Sequence, residues 1–248
     1  MKTSDPLVFT KRYMVNGHNV NSDKYLTIPD LLQSMQECSL LHARQLKTSV
    51  WDMEDDHITW VLIRKELKIL VPLKLDDTYT VITYPSGFDK FFAYRDYLVF
   101  NAEKKLVAAA SSTWTLIDTN SRKLQKIPEE ILKIGTPVNV KFLIQADKKI
   151  GAPESWALND QRKMRPYDLD WNGHVSNIVL VRYMLEPYKS TGIEDQEVAE
   201  ILIHFKNEID VDKEVEVHLG ESAKWRYATL KSKKGHTIAA SKITLRTG

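Results

Sequence analysis

The chain has 248 residues, 43% hydrophobic and 27% charged, an ordinary composition for a folded chain long enough to bury a real core. Thirty-five Lys and Arg against 33 Asp and Glu leave a formal charge of +2, which argues against a general nucleic-acid binder. A lone cysteine, Cys38, excludes an internal disulfide or a cysteine-built metal cluster, and no apolar run reaches membrane-span length, so the expectation is a cytoplasmic protein with no membrane span.

The first clear element is TIPDLLQSMQECSLLHARQL, which reads as a helix. Thr27 and Asp30 have capping-box spacing, and Pro29 suits a first turn. Leu31, Met35, Cys38 and His42 recur at helical spacing, and Leu32 and Leu46 widen the stripe. Four strand-like runs follow, at 58–70, 78–85, 91–100 and 106–118, with turn signals such as PLKLDD and PSGFDK between them. From TNSRKLQKIPEEI to about GAPES the chain is polar and punctuated by proline, and it reads as a connector. YDLDWNGHVSN (167–177) comes next, then a short apolar helix, NIVLVRYMLE. Four more strand-like runs lie at 198–206, 214–220, 224–231 and 237–246. In the second of these, Glu214, Glu216 and His218 alternate with Val215, Val217 and Leu219, the pattern of a half-buried strand.

One helix followed by four strands thus occurs twice, and the last strands share the fragments AASST (109–113) and AASKI (239–243). This order implies an internal duplication of a unit of roughly 100 residues. The layout is α+β. A helix that is apolar nearly all round must be buried on several sides, and a curved sheet wrapped around it does that. The expected fold is therefore a tandem (double) hotdog, each half a central helix wrapped by an antiparallel sheet. The expected division is an N-terminal hotdog over 1–135, a connector over 136–155 and a C-terminal hotdog over 156–248.

The segment DLDWNGH carries carboxylates, an amide and an imidazole immediately before a helix that Ser176 or Asn177 could cap. A helix N-terminus offers unpaired N–H groups and partial positive charge, which stabilise an oxyanion. The set suits acyl transfer from an ester or thioester. Asp, Asn and Gly also gather before helices merely as turn and cap residues. A metal held by Asp168, Asp170 and His174 lacks the usual helical ligand spacing. VNGHNVN (15–21) looks like a second copy, but no aspartate stands two residues before Asn16, and it reads as a surface turn. His42, His204, His218 and His236 read as structural, and Trp60, Trp114, Trp225 and Tyr227 as core.

YDLDWNGHVSNIVLVRYMLE resembles the signature of the acyl-[acyl-carrier-protein] thioesterases, close to D-L-D-x-N-x-H-V-N-N before a hydrophobic helix ending in L-E. LLQSMQECSLLHA is similar to that family's first helix, and SSTWTLIDTNSRKLQKIPEEI to its S-S-x-W strand, basic turn and K-I-P-E-E. The resemblance covers about residues 8 to 245. It implies hydrolysis of fatty acyl-ACP thioesters, with acyl carrier protein as partner, no metal or other cofactor, and the acyl chain held in the first hotdog. It implies Asp170, Asn172, His174 and Glu208 as the catalytic set, with Asp170 a general base or a nucleophile. Ile209 stands where some family members have a cysteine after the glutamate, which argues against a thiol mechanism, and Cys38 reads as core. Two rival activities share the expected fold: an acyl-CoA thioesterase and a hydratase acting on acyl thioesters. A third rival is a non-catalytic acyl-thioester binding protein. Acyl carrier protein is acidic, so a basic docking face is expected. The first choice is Arg162, Lys163 and Arg165, and the second is Lys231, Lys233 and Lys234. Assembly of copies through sheet edges stays open.

Overall fold

A computed structural model describes residues 5–137, 149–170, 173–211 and 213–246. The first half begins with β1 (Phe9–Met14) and the helix α1 (Ile28–Gln45). Then come β2 (Ile58–Ile69), β3 (Thr78–Phe88), β4 (Phe92–Asn101) and β5 (Leu106–Asp118). A two-residue strand β6 (Leu124–Gln125) and a single turn of helix α2 (Glu129–Leu132) close this half. The second half repeats the order with β7 (Ala157–Lys163), α3 (Asn177–Lys189), β8 (Val198–Phe205), β9 (Glu214–Glu221), β10 (Arg226–Ser232) and β11 (Thr237–Leu245).

The strands form one antiparallel sheet in the order β1-β3-β4-β5-β2-β8-β11-β10-β9-β7, with β6 on β5. The order reads the same from either edge if each strand is replaced by its counterpart in the other half. The duplication inferred from sequence is thus visible as topology, and its axis falls between β2 and β8. These pair from Arg64↔His204 to Lys68↔Glu200. Helix α1 packs on β1, β3 and α3, and α3 packs on β7, β10 and β11. The fold is a tandem hotdog. One apolar cluster runs through both halves, from Leu32, Met35 and Val81 to Val181, Met184 and Leu230.

Local chemistry explains several element ends. Thr27 caps α1, accepting from the Asp30 backbone N–H, and its hydroxyl donates back to the Asp30 carboxylate. PSGFDK differs from expectation: Pro85 to Phe88 continue β3, and the turn comes at Asp89, whose carboxylate accepts from the Phe91 and Phe92 N–H groups. The β3–β4 register shifts between Pro85 and Gly87, an irregularity that accommodates a proline inside a strand. The expected connector likewise contains β6 and α2, and its 138–148 portion lies outside the described residues. VNGHNVN is a turn, closed by the Asn16 N–H on the Asn19 side chain at 2.8 Å.

Side chains also tie the halves together. Asp195, 6% exposed, accepts from the Ile28 N–H at the start of α1 at 3.0 Å and from the Lys189 ammonium at the end of α3 at 2.6 Å. Arg246 donates to the carbonyls of Ile69, Leu70 and Gln196 at 2.7, 2.9 and 2.9 Å. Asp195→Ala leaves the buried Ile28 N–H without its acceptor and Lys189 with Glu194 alone. It should lower stability by about 1–3 kcal/mol in urea unfolding, and a change within error would remove Asp195 from this role.

Candidate active site

The loop before α3 is built by Asp168. Its carboxylate accepts from the Arg165 N–H at 2.7 Å and from the Tyr183 hydroxyl at 2.9 Å. Burial, then this carboxylate, raise Tyr183 to about 12, so the phenol stays a donor. The Asp168 carbonyl accepts from the Ser176 N–H at 2.8 Å, and Leu169 bridges Val175. Inside that frame the Asp170 N–H donates to the His174 carbonyl at 2.8 Å, and the Gly173 N–H donates to the Asp170 carbonyl at 3.0 Å. Gly173 has φ +76°, a left-handed conformation that favours glycine, which is why glycine sits inside so tight a loop. Ser176 is the N-cap, accepting from Ile178 at 3.3 Å. The frame folds Asp170 back beside His174, one helical start away from Asn177.

These three residues open on a cavity of about 290 Å³. Most of its wall comes from the first half: Ser39, Leu40 and Ala43 of α1, Thr59 to Ile63 of β2, Ala93 to Arg95 of β4, and Trp114 of β5. Trp60 and Trp114 therefore face an occupiable space as well as packing with Leu116 and Ile131, which corrects their reading as core alone. The second half contributes Asp170, His174, Asn177 and the run Phe205 to Ile209. Glu208 lies past the end of β8, in the segment after it, and not on the strand. Asp170, His174 and Glu208 thus reach one cavity, whereas Asn172 lies outside the described residues.

Glu208 forms an ion pair with Arg122, a residue of the first half that the sequence did not single out. Arg122 sits in the β5–β6 turn with φ +58°. Asp118 organises that turn by accepting from the Asn120 and Ser121 N–H groups at 3.1 and 2.6 Å. The basic turn of TNSRKLQ was the available signal. Of the expected docking residues, Arg162 pairs with Asp160 at 2.6 Å and Glu186 at 3.1 Å and lies over the Tyr183 ring. Lys163 and Arg165 are exposed. In the second cluster Lys233 pairs with Glu214 at 2.5 Å.

Deeper in, fully buried His42 joins α1 to β4. Its Nδ1 accepts from Arg95 Nη1 at 3.0 Å, and its Nε2–H donates to the Pro6 carbonyl at 3.0 Å. Only a neutral ring does both. Burial, then the Arg95 charge, lower His42 from 6.5 to about 4.

Known proteins resemble this chain along most of its length. Residues 6–135 match the family model described as acyl-ACP thioesterase N-terminal domain, and residues 153–247 match the acyl-ACP thioesterase C-terminal domain. A palmitoyl-acyl carrier protein thioesterase, chloroplastic, of Gossypium hirsutum is 25% identical over 221 residues, covering 84% of this chain and 54% of the relative. A dodecanoyl-[acyl-carrier-protein] hydrolase, chloroplastic, of Cinnamomum camphora is 24% identical, covering 83% and 57%. The chain spans about half the length of the curated relatives it matches. Among solved structures, a 12:0-ACP thioesterase from Umbellularia californica aligns with TM-score 0.82 at 19% identity, covering 97% of each chain. An acyl-ACP thioesterase from Bacteroides thetaiotaomicron aligns with TM-score 0.78 at 19% identity, covering 96% of this chain and 98% of that one. These two likenesses establish the fold. No described helix is long and apolar enough to cross a membrane.

The depressed value of His42 makes stability depend on pH. As pH falls, the unfolded chain takes up a proton near 6.5, while the folded chain resists until about 4. His42 therefore contributes fully above 6.5, and that contribution is lost as pH falls through this window. The melting temperature should drop more between those pH values in the parent than in His42→Gln. Parallel curves would mean that His42 is not held neutral.

Proposed function

The chain belongs to the acyl-ACP thioesterase family, and on that premise we propose that it hydrolyses fatty acyl-ACP thioesters to free fatty acid and holo-ACP, ending chain elongation. The observation that carries this reading is a cavity walled mainly by first-half side chains and closed by Asp170 and His174 from the second. An acyl chain would lie along α1 and β2, between Trp60 and Trp114, with its thioester at the start of α3. The first hotdog, within residues 1–135, then holds the chain, and the second, within 156–248, supplies the reacting groups.

The carbonyl carbon must gain an oxygen nucleophile and lose the thiolate. Asp170 does the first either by taking a proton from water or by attacking to give an anhydride that water then opens. The developing oxyanion lies toward the N-terminus of α3, where N–H groups and the helix dipole favour negative charge. Asn172 is proposed to assist there. The C–S bond then breaks, and His174 delivers the proton to the departing thiolate. Glu208, steadied by Arg122, orients His174 or the attacking water. Every step uses this chain's own groups, and no metal or organic cofactor is invoked.

The proposed partner is acyl carrier protein carrying the acyl-phosphopantetheine thioester. The proposed compartment is the cytoplasm; the plant relatives are named as chloroplastic. Lys163 and Arg165, exposed on the sheet edge and in the loop that leads to Asp170, are the proposed docking charges. Arg162 contributes less, because two carboxylates already engage it. Reversing Lys163 and Arg165 to glutamate should raise KM for the carrier-bound substrate, more at low salt than at high salt. It should leave a small uncharged acyl thioester almost untouched. Equal losses on both substrates would assign these residues to the fold or the chemistry.

Asp170→Asn should fold with an unchanged melting curve and lose on the order of 10²–10⁴ in kcat, measured as free-acid release from acyl-ACP. Near-parental turnover from a well-folded variant would move the reaction centre elsewhere. Faster turnover of acyl-CoA than of acyl-ACP at equal chain length would reassign the substrate.

A further inference from the structure

Arg95 lines the cavity, and a polar cluster lies behind it in the sheet. Arg95 on β4, Ser112 on β5 and Lys65 on β2 are direct cross-strand partners and share one face of the sheet. Contacts fix that face as the one turned toward α1. Arg95 donates to His42, the Tyr97 hydroxyl pairs with Ser39 at 2.6 Å and Ser112 at 3.2 Å, and the Lys65 ammonium lies 4.6 Å from the Tyr97 ring centre. β5 and β2 stand between β4 and β8 in the sheet. Arg95 is therefore roughly 14 Å across the strands from β8, beyond whose end Glu208 lies.

Two cations are gathered here without a carboxylate. Arg95 Nη1 donates to neutral acceptors, the His42 ring and Thr83 Oγ1 at 3.3 Å. Lys65, 3% exposed, has the Tyr97 ring. Among the described residues neither is in an ion pair. Their acidic neighbours in sequence, Asp96 and Glu66, fall on the opposite face by strand alternation, with Asp96 opposite Tyr84. An unpaired buried charge is costly. Lysine can relieve that cost by shedding its proton, and burial lowers Lys65 to about 7. Arginine cannot, so Arg95 keeps a fixed positive charge. The cavity reaches it, together with Ser39 and Gln36. Among the described residues no acceptor takes its Nε or Nη2.

A slot shaped only for hydrocarbon needs none of this. We propose that the distal end of the cavity is a subsite for an oxygen-bearing chain terminus. The preferred substrates are then acyl thioesters whose far end carries a carboxylate or hydroxyl instead of a methyl, with Arg95 as the residue that reads it. A carboxylate would complete the missing ion pair, accepting from the guanidinium fork. A hydroxyl would accept from Arg95 and donate to Ser39 or Gln36. A methyl would cover the half-buried guanidinium and offer it no acceptor. The inference rests on the thioesterase reading and deepens it by naming the chain.

The test compares carrier-bound thioesters of equal carbon number ending in methyl, hydroxyl or carboxylate, across a series of lengths. At the length that reaches Arg95, kcat/KM should favour an oxygenated end by about tenfold or more over the methyl chain. Arg95→Met should reverse that ratio, raising methyl chains and lowering oxygenated ones. Arg95→Lys, which keeps charge but not the fork, should fall between, and melting curves should show both variants folded. Preference for methyl at every length, or a ratio indifferent to Arg95→Met, overturns the subsite while leaving the thioesterase reading intact. Calorimetric binding of the free hydroxy-, dicarboxylic and plain acids to Asp170→Asn gives a readout independent of turnover. An oxygenated preference there, lost in the Asp170→Asn/Arg95→Met double variant, supports the subsite even if no thioester is cleaved. Equal or weaker binding of the oxygenated acids overturns it.

Discussion

Pairing of β2 with β8 is the interaction on which the rest of the molecule depends. Each half buries one apolar helix against a curved sheet, and each sheet would otherwise end on an open edge rich in unpaired N–H and C=O groups. Joining those edges within one chain satisfies both and brings α1 and α3 against each other. The outer edges that remain, β1 and β7, carry Lys11 and Arg12 in one and Asp160, Arg162 and Lys163 in the other. Charge at such positions discourages pairing with a further strand.

The same junction gives the two copies of the unit different places around the cavity. The first copy keeps an open interior lined by Trp60, Trp114 and the middle of α1, while the second sends the loop before α3 and the segment after β8 to its rim. Contacts across the junction hold this alignment: Asp195 on the start of α1, Arg246 on β2, and Arg122 on Glu208. They act far from one another in sequence, so an error in the register of β2 against β8 would misplace the second-half groups over the cavity even if each half folded well.

What the sequence disclosed follows from how local each signal is. Helix α1 was legible because its cap and apolar stripe lie within twenty residues, and β5 because its run of small and apolar residues needs no partner to be recognised. β1 and β7 were missed because edge strands are half polar and lack the β-branched runs that pattern reading relies on. β3 was cut short because Pro85 reads as a terminator until the irregularity that houses it is seen. At the site, Asp170 and His174 share one short motif, and Glu208 was reached through resemblance alone. Arg122 and Arg95 could not be assigned, since each matters through a partner elsewhere in the chain. Neutral His42 could be read as structural, but its bond to Arg95 could not be foreseen.

The central claim is that one copy holds the chain while the other does the chemistry. It is tested most directly by a crystal structure with a non-hydrolysable acyl-carrier analogue in which the thioester sulfur is replaced. The expected result is the carbonyl beside Asp170 and His174, with the chain running between Trp60 and Trp114 toward Arg95. A chain seated instead inside the second half, against β9 and β10, would contradict it.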